Sequence, residues 1–160
     1  MSNALLQSYI LQIHRTYNGD NWLDENFDKK LALVNEQNAF VKPADDLHSI
    51  AEIISHIIEW RKELLERLET GRPPKLKMES PQNWIPNELL KNTGWLSLLL
   101  ELRATQSAIL AFLEKKDDTF LATEWLGGES YGFLVAGWIE HDIYHLAQIG
   151  LIYKMVARKA

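Results

Sequence analysis

The 160-residue chain contains no cysteine. That absence excludes a disulfide framework, a thiol nucleophile and any thiolate metal ligand. Basic residues are in deficit: 17 Lys and Arg stand against 22 Asp and Glu, leaving a net charge of −5. The cations are scattered and form no basic stripe, so nucleic-acid binding is not expected. No apolar run approaches the roughly 18 residues needed to cross a bilayer, and no membrane association is expected. The opening stretch MSNALLQSYILQIHR is broken by Gln7, Ser8, Gln12 and His14. It lacks the basic start and long apolar run of a signal peptide. The expected compartment is therefore the cytoplasm. No alternating run is long enough to predict a strand, and there is no internal repeat or low-complexity segment.

What is present is ordinary for a soluble protein: 46% hydrophobic and 24% charged residues. The length suits a single domain over residues 1–160 with a substantial core. Ser2 or Asn3 can cap a first helix to about Tyr17, with Leu6, Ile10, Ile13 and Tyr17 at helical spacing. Residues 28–36 predict one short extra helix that turns Leu31 and Val34 inward. A second long helix is expected from Asp45 or Asp46 to about Glu69, ended by Gly71 and Pro73-Pro74. The loop that follows, of about 20 residues, is the kind that often lies over a site. Its Trp84 and Ile85, between Pro81 and Pro86, are placed to pack down as a lid. A third helix is expected from Asn92 or Thr93 to about Lys115, then a connector, DDTFLATEWLGGES. A fourth runs from Ser130 to about Ala157. These elements predict an all-α four-helix bundle with long inter-helix connections.

The chemistry gathers on the fourth helix. His141 and His145, in HDIYH, stand one turn apart on one face, where they can grip a single metal ion. At roughly 100° per residue, Leu134, Trp138, His141, His145, Gln148 and Ile152 share one arc. Two readings remain open. The pair ligates a metal, or one imidazole bonds a helix-terminal carbonyl and the other is partly exposed. HDIYH has the spacing of the zinc-protease motif HExxH, but Asp142 replaces its glutamate and no third ligand follows before Ala160. A metalloprotease is rejected. A di-iron bundle requires Glu-x-x-His pairs, and the chain has none.

His56 is the best third ligand, at the edge of the second helix's apolar arc beside Ile53 and Trp60. His48 lies at that helix's start, where it caps or is solvated. His14 is a weaker candidate for a fourth ligand or a supporting group. Glu52 and Glu59 flank His56 by one turn. They are either solvated surface or, for Glu52, a group that fixes a ligand tautomer. Three neutral histidines would leave a coordination position open, the composition of a catalytic rather than a structural site. Imidazole suits zinc, nickel and iron alike, so the ion is not fixed by the ligands.

These residues carry a resemblance to a known family. An N-terminal helix closes on a Trp22-bearing loop. KPADDLHSIAEIISHIIEWRKELLERL and YGFLVAGWIEHDIYHLAQIGLIYKM follow, the latter with an HDxYHxxQI pattern. Together they resemble the DinB/YfiT-like superfamily of metal-dependent enzymes over nearly the whole chain. Carried onto this sequence, the family's three-histidine site falls on His56, His141 and His145. The resemblance implies a four-helix bundle, metal between the second and fourth helices, and a homodimer. Where the family often has tryptophan before the serine opening the second helix, this chain has His48. Ala147 stands where glycine commonly precedes Gln-Ile.

Relatives of this kind include transferases and isomerases that use low-molecular-weight thiols such as bacillithiol, mycothiol or glutathione, and others called hydrolases. Three functions are therefore carried forward. The first is transfer of a low-molecular-weight thiol to an electrophilic small molecule, in a pocket with Trp60 and Trp138. The second is hydrolysis by metal-bound hydroxide, which needs an acid or base nearby; Asp142 and Glu140 adjoin the ligands in sequence but are expected to point partly away. The third is a non-enzymatic, stress-associated metal-binding bundle. Gln148 is expected beside the ligands. Leu100 and Leu151, off the main apolar stripes, are candidates for the dimer interface.

Overall fold

The computed structural model describes residues 3–158. Helices α1 (Ala4–Tyr17), α2 (Phe27–Leu31), α3 (Glu36–Ala39) and α4 (Ile50–Thr70) are followed by α5 (Asn87–Thr93), α6 (Trp95–Leu113), α7 (Asp118–Ala122) and α8 (Tyr131–Ala157). The four long ones, α1, α4, α6 and α8, form a helical bundle in which α4 packs against both α6 and α8, and α1 against α8.

Local signals explain the boundaries. Asn3 is the N-cap position of α1, but its side chain makes no capping bond. Ser2, the other expected cap, lies outside the described residues. The carboxylate of Asp118, from α7, takes over by accepting from the backbone N–H of Leu6 at 2.9 Å. Helix α4 begins five or four residues later than the expected Asp45 or Asp46. Ser49 and Glu52 form a reciprocal capping box there, each side chain accepting from the other's backbone N–H, which satisfies two otherwise orphaned donors. Gly71, at φ 69°, closes α4 in the left-handed conformation. The third long helix also starts later than expected. Gly94, at φ 82° and ψ 151°, breaks the chain into α5 and α6.

Short elements are more numerous than the sequence reading allowed. The expected helix over 28–36 is two pieces, α2 and α3, with Leu31 and Val34 buried as expected. The 117–130 connector holds α7 and a minimal antiparallel hairpin, β1 (Glu124–Leu126) with β2 (Glu129–Ser130). Gly127 and Gly128, both at positive φ, supply its turn. Three residues are too few for a visible alternation. Helix α6 is long and apolar enough, by composition, to cross a membrane. This qualifies the expectation drawn from uninterrupted runs. Its Trp95, Leu98, Leu102, Ile109 and Leu113 are nevertheless buried in the bundle.

The core is split. One apolar cluster joins the N-terminal part of α4, from Ile50 to Ile58, with Leu98 and Leu102 of α6 and Leu146 to Val156 of α8. The other joins Leu6, Ile10 and Ile13 of α1 with Leu64, Leu68, Ile109, Leu113 and Val135 to Ile139. Between them lies a polar layer: Arg61 on α4, Thr105 and Gln106 on α6, Asp142 and His145 on α8, all buried. A layer of polar groups inside a bundle costs desolvation unless each finds a partner. Arg61 pairs with Asp142 and His145 with Gln148, whereas the buried amide of Gln106 has no hydrogen-bond partner among the described residues.

Candidate metal centre

The three histidines of the sequence reading come together in this layer. His56 of α4 and His141 and His145 of α8 each offer a ring nitrogen, and these atoms lie within 4.8 Å of one another. The Nε2 atoms of His56 and His141 are 3.0 Å apart. That is close to the roughly 3.3 Å edge of a tetrahedron with metal–nitrogen bonds of about 2.0 Å. His56 and His145 are 4% exposed, and His141 is the more open of the three.

The far nitrogens are held. His56 Nδ1 donates to the carbonyl of Asn83 at 2.8 Å. His145 Nδ1 donates to Gln148 Oε1 at 2.7 Å. Each bond places the proton on Nδ1 and leaves the Nε2 lone pair for an ion. Burial, and then the neighbouring imidazoles, push His56 down to about 4. Burial and His141 push His145 down to about 4 as well. Both rings are therefore neutral at pH 7, as ligation requires. The donor set fits a divalent transition metal, and three protein nitrogens leave a coordination position open.

The long loop covers one side. Trp84 stacks flat on His56 at 4.1 Å and, on its other face, on His48 at 3.7 Å. This is the inward packing expected of Trp84. Asn83 holds the loop down: its Oδ1 accepts from Trp60 Nε1 at 2.8 Å and its Nδ2 donates to Met78. Asn83 was not singled out in the sequence. The only available signal was a polar residue beside the aromatic of a Pro-bounded loop.

Other expectations are corrected. Glu52 is buried, but it does not reach a ligand histidine. Its carboxylate takes the Ser49 and Asn87 N–H groups, His48 Nδ1 at 3.3 Å and Lys42 at 3.2 Å. His48 thus neither ligates nor is free in solvent. His14 is exposed and outside the cluster. Asp142 does not point partly away: it is 4% exposed and faces the interior. Arg61 Nη2 donates to Asp142 Oδ2 at 2.6 Å, and Arg61 Nε to Oδ1 at 3.4 Å. Burial alone would raise the Asp142 carboxyl, but Arg61 and His141 together hold it below its ordinary value. The Asp142 Oδ1 to His141 Nδ1 distance, 4.0 Å, is too long for a hydrogen bond. Arg61 also donates to the Leu102 carbonyl at 3.3 Å, and its guanidinium lies 5.5–5.7 Å from the ring centroids of Tyr17, Phe27 and Trp138.

On the side away from Trp84 the cluster opens. A cavity of about 240 Å³ has His141 in its wall, together with Trp60 and Trp138. Glu140 is exposed on the surface of α8.

Comparison with known proteins places this geometry in a family. The sequence model of the DinB superfamily matches residues 22–149, which include all three histidines. Among solved structures, the chain is similar to the colibactin self-resistance protein ClbS, crystallised in complex with a dsDNA. That likeness has a TM-score of 0.61 and 14% identity, over 94% of this chain and 92% of that one. At such identity it speaks to the fold alone. No curated protein matches the chain. With four-fifths of its residues inside the family match and the helical bundle in place, the chain belongs to the DinB superfamily.

Proposed function

We propose that the chain is a metal-dependent enzyme that transfers a low-molecular-weight thiol to an electrophilic small molecule. The observation that carries this reading is the position of His141. It is at once a member of the three-histidine cluster and part of the wall of an apolar cavity. The chain has no cysteine, so a sulfur nucleophile would arrive as co-substrate. A divalent ion held there would favour the thiolate over the thiol at neutral pH. The protein's own part is positional. Asn83 and Gln148 orient two of the imidazoles, Trp84 closes one side against water, and the cavity admits the acceptor beside His141.

The hydrolytic alternative calls for an uncommitted acid or base near the cluster. Asp142 is committed to Arg61, and Glu52 to the α4 cap. This favours transfer. With a net charge of −5, a small molecule rather than a nucleic acid is the expected partner, and the DNA in the ClbS crystal is a property of that complex. We also infer a homodimer. A groove of about 630 Å³ runs between α1 and α8 on the face of α8 opposite the histidines, flanked by exposed Trp22, Leu23 and Leu151. Light scattering that returns a monomer at micromolar concentration would refute pairing.

The test of function is direct. Untagged protein is assayed for metal by elemental analysis and for thiol consumption with small electrophiles, with and without chelator. Wild type should hold metal and turn over. His56→Ala, His141→Ala and His145→Ala should each lose both. Metal retained by all three variants would overturn the site. Metal bound with no turnover of any common thiol would leave a non-enzymatic metal-binding bundle.

A further inference from the structure

We propose that the cavity beside His141 is the acceptor subsite, that it takes an uncharged planar ring system of one to two rings, and that Gly137 sets its size limit. The inference rests on the transfer reading above and deepens it.

The volume is the first argument. An apolar cavity of about 150 Å³ can hold benzene. This one, at about 240 Å³, has room for one or two fused rings. The walls are the second. Trp60 and Leu64 from α4 face Phe133, Leu134 and Trp138 from α8 across the space. Aromatic and aliphatic faces of this kind bind flat apolar surface. Among the lining residues, the formally charged side chain is Arg67. Its Nε already donates to Glu63 Oε1 at 2.8 Å, and its guanidinium lies 5.9 Å from the Trp60 ring centroid. A ligand carboxylate would compete with Glu63 for that charge, so a neutral ligand is preferred.

Gly137 is the third argument. Helix α8 holds three glycines. A Cβ at Gly132 would meet the Leu121 carbonyl at 3.0 Å, and one at Gly150 would meet the Lys30 side chain at 3.1 Å. These two are explained by their neighbours. A Cβ at Gly137 would meet nothing within 4 Å. Glycine inside a helix loses stability relative to alanine, and here no packing contact accounts for it. Gly137 lies one turn before His141, hence on the same face, and lines the cavity. The missing side chain leaves open the space next to the ligand histidine.

The experiment is calorimetric titration of the metal-loaded chain with 1-naphthol, phenol and 1-naphthoate, without thiol. Wild type should bind 1-naphthol, and bind 1-naphthoate about tenfold or more weakly. Gly137→Leu should weaken 1-naphthol by about tenfold or more with metal content unchanged. Gly137→Ala, which adds one methyl into open space, should shift the preference from 1-naphthol toward phenol, and decides the matter if the leucine variant does not fold. No binding of 1-naphthol, equal binding of 1-naphthoate, or an unchanged ring-size preference in the Gly137 variants would each overturn the proposal. Ligand bound instead in the groove on the other face of α8 would show as affinity untouched by Gly137→Leu and lost in Ile143→Asp. Because no thiol or turnover enters the measurement, the subsite can stand if transfer fails, and transfer can stand if the subsite fails.

Discussion

Replacing Asp142 by asparagine should destabilise the bundle, because it breaks the buried pair with Arg61. The substitution keeps the side chain's shape and removes its charge. Arg61 is then left as a buried cation, 1% exposed. Its remaining partners are the Leu102 carbonyl at 3.3 Å and three aromatic rings at 5.5–5.7 Å. Breaking one side of a buried ion pair costs about 3–5 kcal/mol. Asparagine still offers one acceptor oxygen, so the lower end, about 3 kcal/mol, is the expected loss. For a chain of this length each kcal/mol lowers Tm by about 2–4 °C, so a drop of about 6–12 °C should follow. The assay is urea unfolding of metal-free protein, with thermal melts alongside. The double variant Arg61→Met, Asp142→Leu removes both charges and should recover most of the loss. A loss below about 1 kcal/mol in Asp142→Asn, or a double variant as unstable as the two singles added together, would refute this account of the pair.

Two further outcomes follow from the polar contacts. Gln148→Leu removes the acceptor of His145 Nδ1–H, and metal affinity by competition titration should fall about 10–100-fold with little change in fold; unchanged affinity would mean that Gln148 does not orient the ring. Burial opposes ionisation of Glu63, yet Arg72 and Arg67 hold its carboxyl down to about 2, against an ordinary 4.5. Its stabilisation is therefore complete above about pH 4.5 and is lost as pH falls toward 2, so Tm should fall less steeply over that interval in Glu63→Gln than in wild type; parallel curves would remove Glu63 from the acid response.

Much of the centre was legible because helical spacing is local. His141 and His145 sit four apart, and His56 lies on the edge of an apolar arc; no distant partner need be known. The bundle followed from the same periodicity. The orientation of α8 was less legible. The helix is apolar on several sides, so a wheel constrains its inward direction weakly. The arc drawn through Leu134, Trp138, His141, His145, Gln148 and Ile152 is one edge of the buried face: Trp138, His145 and Ile152 are buried as read, but that face extends past them to Val135, Ile139, Asp142, Leu146 and Ile149. Asp142 was therefore read as partly outward, and Arg61, within WRKEL, carried no sign of burial. Their pairing joins positions 81 apart, which a single sequence does not announce. Glu52 misled for a different reason. Its four-residue spacing to His56 suggested a ligand's partner, while its three-residue spacing to Ser49 made a capping box.

The backbone carbonyl of Asn83 has a double duty. It belongs to the loop between α4 and α5, and it fixes which nitrogen of His56 carries the proton. Displacing the loop would free that ring to exchange tautomers and weaken its grip on an ion, and binding an ion would in turn hold the loop down. Exposure of the centre and strength of ligation are thus coupled through one peptide bond. Amide exchange in residues 71–86 should accordingly slow when metal is added and quicken when it is stripped, making the loop a reporter of occupancy at a site it does not ligate.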